Sequence, residues 1–388
     1  MKHDHEKDAV LIQFLRECCF DTSPSIIEGT LEVLKQHNLL AYGFHFMRDR
    51  LPDDACREAA DIYREQNALD LRMEVVFNKL STLFQQNKVR FCPLKGADLS
   101  WRVYPSGALR PKCDIDILFH PDDCEKAIAI LEKDGWANPY KYRSKHHYMG
   151  MRRSGVYLEP HFNLPHFDNC SPFEIWSELR QEEGTCFQLP LELNLLMLFH
   201  HCRHHSWGNG IRLLLDCGFL LKKEGMPDWE KMNSLARQFK LDPPELLFAA
   251  FADFFPKEAL PAVTFSMEDC DLFREVLLCP MTELREKVPE MVMSTSDRFS
   301  WEWWKSRLAG MRPIGVRIRT QNQHGNYGRL FVAYIKIAWQ KLGWFWRYRH
   351  GSSDPNIQLK IEKLERIEEI FQCRCTDAPP NATVAGNR

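Results

Sequence analysis

Residues 89–117 read VRFCPLKGADLSWRVYPSGALRPKCDIDI, and three elements follow one another there. Val89–Leu94 is a short apolar run that reads as a buried strand. Lys95-Gly96 turns the chain into a short helix over Ala97–Tyr104, which Pro105 closes. After a loop holding Gly107 and Arg110, Cys113–Phe119 reads as a second strand. On it Asp114 and Asp116 stand at alternate positions, so both carboxylates project from one face while Ile115 and Ile117 point into the core.

Two aspartates on one rigid strand can bridge two hard cations such as Mg²⁺ or Mn²⁺, which prefer oxygen ligands. Paired metals stabilise the attacking and leaving oxygens of an in-line displacement. The pattern therefore suits phosphoryl or nucleotidyl transfer. Gly96 lets the backbone approach a phosphate, and the helix that follows presents unpaired N–H groups. Lys95 adds a mobile positive charge. An isolated Asp-x-Asp is more often a strand end with two solvated acids. The order of turn, helix, loop, basic residue and Asp-x-Asp is what carries the signal.

In that order the chain resembles the nucleotidyltransferase superfamily that includes DNA polymerase β. More closely, it is similar to a family of uncharacterised bacterial nucleotidyltransferases. The residues that carry the resemblance are Leu94-Lys95-Gly96, Tyr104, Arg110 and Asp114-Ile115-Asp116, and it extends more weakly to about residue 255. Ala97 stands where many members of the wider superfamily carry Ser or Gly. The resemblance implies that Asp114 and Asp116 hold metal and that a third carboxylate on a neighbouring strand completes one site. Glu159, in the expected strand Gly155–Phe162, fits that place, with Tyr157 and His161 on its face. The bland alternative for Glu159 is a solvated edge residue. Pro160 departs from the apolar residue of nearer relatives and belongs at a strand end or edge. His161 reads as an orienting or substrate-contacting residue, since Mg²⁺ sites rarely use imidazole. Lys95, Gly96 and Arg110 would bind the triphosphate. The family's His-x-x-x-His, Trp, Arg, Asp series corresponds to His201, His205, Trp207, Arg212 and Asp216.

The 388 residues suffice for two or three domains, and 44% hydrophobic with 27% charged residues is a soluble globular composition. A net charge of −2 predicts no general attraction to nucleic acid. The start MKHDHEKDAV has no apolar signal segment, so a cytoplasmic protein is expected. Fourteen cysteines without a C-x-x-C pair read as buried free thiols rather than disulfides or a zinc site.

The spacing divides the chain into a helical region over 1–87, an α/β core over 88–168 and a helical domain over 169–280. A basic Trp-rich helical segment over 281–350 follows, then an amphipathic helix and disordered tail over 351–388. The helix expected at 190–205 ends in His200, His201, His204 and His205, two i, i+4 pairs. Such pairs can bind zinc. No glutamate base or third ligand accompanies them, so a histidine-rich helix end near the substrate cleft is the better reading. Favourable contact with the helix C-terminus is the blander one.

Between Trp301 and His350 ten Lys or Arg face one acid, Glu302, so this segment is +9 and the rest of the chain −11. Six of eleven tryptophans lie here. Packing on the protein's own acidic remainder ranks first. A peripheral contact with an anionic membrane ranks second and nucleic acid third, because no recognised binding module accompanies the charge. The C-terminal amphipathic helix fits a docking helix or a weak dimer contact. Nothing in the sequence fixes the oligomeric state.

The expected fold is α+β: a small mixed sheet forming a nucleotidyltransferase core, flanked by helical regions. The expected activity is Mg²⁺-dependent transfer of a nucleoside monophosphate from an NTP to an unknown acceptor. The alternatives are a non-catalytic nucleotide- or substrate-binding protein that kept the fold, and a phosphotransferase.

Overall fold

The computed structural model describes residues 5–21, 24–25, 29–137, 146–148, 150–167, 170–205, 207–279 and 355–376. The basic Trp-rich segment, the tail after 376, and Lys141, Arg143 and Lys145 lie outside the described residues. Among the described residues no helix is long and apolar enough to cross a membrane.

The fold is α+β. Helices α1 (His5–Phe20), α2 (Thr30–Gln36), α3 (Leu40–Met47) and α4 (Asp53–Gln86) come first. Then follow β1 (Phe91–Leu94), α5 (Lys95–Arg102), β2 (Ile115–Phe119), α6 (Cys124–Lys133), β3 (Met151–Arg153) and β4 (Val156–His161). Next are α7 (Pro172–Ser177), β5 (Arg180–Glu183), β6 (Cys186–Gln188), α8 (Leu191–His204) and α9 (Gly210–Glu224). Helices α10 (Trp229–Phe239), α11 (Glu245–Ala250) and α12 (Met267–Leu277) follow, and a C-terminal helix spans Pro355–Thr376.

The six strands form one mixed sheet in the order β3-β4-β2-β1-β6-β5. Strand β2 is buried along its whole length, as a central strand must be. Ile115, Ile117 and Phe119 pack with Met73, Leu80 and Phe84 of α4 and with Ala127 and Leu131 of α6. Asp116 and Leu118 point to the opposite face, where Leu118 joins the larger core built by the helices. That core draws on α1 to α3, on α8 to α12 and on Leu364, Ile367 and Phe371 of the C-terminal helix. The last helix therefore docks on this chain. Phe371 lies near Trp207, Phe199 and Phe273, and Glu368 takes Arg203 at 2.5 Å.

Two local features differ from the spacing argument. Residues 169–280 are not wholly helical: β5 and β6 form a hairpin turned at Gly184, whose φ is 56°. Strand β6 adds to the sheet parallel to β1. Arg180-Gln181-Glu182-Glu183 is exposed on both faces, so it has no apolar alternation to betray it. At the β1–α5 junction the left-handed residue is Lys95, φ 46°, and not Gly96. Gly96 is needed for another reason. A Cβ there would stand 2.9 Å from Arg110 Nη1 and 3.0 Å from Lys112 Cδ.

Candidate active site

The site follows from strand register. Leu94 of β1 pairs with Asp116 of β2, and Asp116 pairs with Glu159 of β4. The chain leaves β1 at Lys95, beside Asp116, and Lys95 Nζ lies 3.0 Å from Asp116 Oδ1. Glu159 and His161 share a face of β4. His161 Nε2 donates to Asp116 Oδ1 at 2.9 Å and stands 3.8 Å from Glu159 Oε2. Pro160 is tolerated because its carbonyl accepts from Tyr148 N on the side where β3 has already ended. A proline there leaves the ladder to β2 intact.

Asp116, Glu159 and His161 each bring one ligand atom within 4.8 Å of the others. Among the described residues this is the one group of three acids, histidines or cysteines so placed, and it does not include Asp114. Asp114 precedes β2 and is half-buried. The electrostatics are those of crowded carboxylates. Burial, then repulsion from Asp116 and Asp114, pushes Glu159 up to about 7. Burial and Asp116 push Asp114 up to about 6. Asp116 goes the other way: against burial, Lys95 and the His161 hydrogen bond hold it well below the usual carboxylate range. Burial pushes His161 down to about 4, so its imidazole is neutral at pH 7. Its Nδ1 is buried without a hydrogen-bond partner among the described residues.

A hard divalent cation fits this donor set. Glu159, whose pKa is raised, gives up its proton to solvent when such a cation binds, and the cation's charge relieves its repulsion with Asp116. The raised pKa of Glu159 has a consequence without metal. The folded state keeps the Glu159 proton between about pH 4.5 and 7, where the unfolded chain has lost it. Its stabilising contribution is full below that window and lost as pH rises through it. Glu159→Gln fixes the neutral form. In chelator, its stability advantage over wild type should grow between pH 5 and pH 8 by on the order of 2–3 kcal/mol. Urea unfolding at the two pH values measures this, and an unchanged difference would remove Glu159 from the carboxylate cluster.

The structure places the other expected residues differently from one another. Arg110 does not face the cleft as a free cation. It is buried, and its Nε and Nη2 donate to Asp216 of α9 at 2.8 and 2.9 Å. Tyr104 donates to the same carboxylate at 2.6 Å. A guanidinium this deep needs a fixed counter-charge, and Asp216 supplies it. His161 is 1% exposed and hydrogen-bonded to Asp116. His201 and His205 lie at the end of α8, near enough to Lys95 for its charge to act on both. Lys112, which the motif reading passed over, closes the back of the turn by pairing with buried Asp70. Trp101 Nε1 donates to that same carboxylate at 3.0 Å. His166 was also missed. It stacks on His204 with ring centroids 3.9 Å apart, and nothing in its loop sequence marks it. Cys18, Cys19, Cys92, Cys202 and Cys217 are buried thiols not joined in disulfides.

A family described as "Uncharacterised nucleotidyltransferase" matches residues 27–255, more than half of the chain. The chain belongs to that family. No curated protein and no solved structure matches it.

Proposed function

We propose that this protein transfers a nucleoside monophosphate from an NTP to an acceptor, with Mg²⁺ or Mn²⁺ as the bound cation. The observation that carries the reading is the register of β1, β2 and β4, which sets Lys95, Asp116 and Glu159 side by side. Asp116 and Glu159 would hold the metal, which supplies charge neutralisation at the reacting phosphate. Asp114 is not one of the close trio of Asp116, Glu159 and His161, though its charge reaches Asp116 and Glu159; it is pushed up to about 6, so it suits the acceptor's proton. Lys95 stays cationic, its pKa raised by Asp116 against the cost of burial. It can turn toward the charge that develops on departing pyrophosphate. Gly96 and the first turn of α5 offer backbone N–H groups to the triphosphate. Buried Arg110 has no part in phosphate binding and instead fixes the turn. His161 keeps Asp116 in one orientation.

The test is product analysis with labelled ATP, CTP, GTP and UTP, each with divalent metal and cell extract as acceptor source. Labelled monophosphate on an acceptor, with pyrophosphate released, is the expected result. Release of ADP from ATP would make the protein a phosphotransferase. Binding of NTP without either product would make it a binding protein.

A further inference from the structure

Four imidazoles stand together near Lys95, and His146 links them to His161, its ring 5.9 Å from His166 and 5.8 Å from His161. His201, His204 and His205 come from the end of α8 and its cap, and His166 from the loop after β4. His166 and His204 stack at 3.9 Å, His201 and His205 meet edge to face at 4.6 Å, and His166 lies 5.9 Å from His201. The group is half open to solvent: His204 and His205 are exposed, while His166 and His201 are partly buried. The Nδ1 of His201 is buried and has no hydrogen-bond partner among the described residues. Lys95 is close enough for its charge to act on His166, His201 and His205.

Four described cations on and around α5 are already paired: Lys95 with Asp116, Arg110 with Asp216, Lys112 with Asp70, and Arg102 with Asp98 and Glu224. A highly charged phosphate arriving beside Lys95 gains from further donors. We infer that His166, His201, His204 and His205 form a wall that binds a phosphoryl-bearing anion, either the polyphosphate of the nucleotide or a phosphate carried by the acceptor. An imidazole N–H is a donor that a phosphate oxygen accepts. A nearby anion also favours the imidazolium form, so the wall gains positive charge when it is occupied. A wall of permanent cations would repel Lys95 when empty. The imidazoles of His166, His201 and His205, kept neutral first by burial, do not, which accounts for histidine rather than arginine at these places.

This inference rests on the transferase reading only for the identity of the anion, and its test is separate from turnover. Titration calorimetry is done on the full chain with inorganic tripolyphosphate and, separately, with orthophosphate. The variants are His204→Gln/His205→Gln, both at exposed positions, and His204→Arg/His205→Arg. The glutamine pair should weaken binding at least tenfold, with its thermal unfolding unchanged. The arginine pair should restore binding, which a purely structural role would not allow. Competition of tripolyphosphate with NTP assigns the wall to the nucleotide. Binding of orthophosphate alongside NTP assigns it to the acceptor. Equal affinity in wild type and both variants, or no binding of either probe to wild type, overturns the inference. Neither result touches pyrophosphate release, whose absence would instead overturn the transferase reading.

Discussion

Asp116→Asn should lower pyrophosphate release by about a thousandfold, the ~4 kcal/mol that a charged group at the reacting phosphate is worth. Asp116 is the hub of the site. It is 3% exposed, receives Lys95 and His161 on one oxygen, and neighbours Glu159 across the strand pair. Asparagine keeps an oxygen for the His161 N–H and the shape of the side chain. It removes the one carboxylate that stays ionised under all ordinary conditions. Lys95 then looks to Asp114 and Glu159, whose raised pKa values should fall as they take over its charge. The fold should therefore survive while the chemistry does not. Circular dichroism and metal titration on the same preparation separate the two effects. Turnover within tenfold of wild type would show that the reaction does not run through Asp116.

The strand–turn–helix–strand order and the alternation in Asp114-Ile115-Asp116 could be read from the chain because both are local. Ile115 and Ile117 pack under the sheet as the period-2 pattern requires, and this alone fixes the face that Asp116 takes. The partnership of Asp116 with Glu159 was legible only through the order of motifs, since a parallel register across 42 intervening positions leaves no periodic trace. Three things were out of reach. The β5–β6 hairpin is too short and too polar to alternate. No pattern in the sequence shows that Lys95 rather than Gly96 turns left-handed, nor that Arg110 and Lys112 fill the space a Gly96 Cβ would need. Holding a non-glycine residue at positive φ costs on the order of 1 kcal/mol or more, so this turn is over-determined by its neighbours. Finally, a buried arginine and an arginine at a phosphate look alike in sequence, and only the fold reveals which carboxylate, if any, has claimed it.

Arg110 and Asp216 give the largest expected effect on stability. The pair joins the loop before β2 to α9 and is buried on both sides, at 6% and 2% exposure. Asp216 also accepts from Tyr104, and Tyr42 donates to the Leu109 carbonyl at 2.7 Å, so the loop is held at adjacent residues. Removing one partner strands the other charge in a medium that cannot solvate it. Arg110→Met or Asp216→Asn should therefore cost about 3–5 kcal/mol in urea unfolding. Arg110→Met with Asp216→Leu removes both charges and should recover a large part of that loss, leaving a coupling energy of at least ~2 kcal/mol. Arg110 Nη1 also backs Gly96, so the double variant should still bind NTP weakly even where its stability returns. The competing idea, that Arg110 contacts the triphosphate directly, makes the opposite forecast. Arg110→Lys would then leave stability untouched and raise KM alone, and finding that pattern would take Arg110 out of the core and return it to the nucleotide.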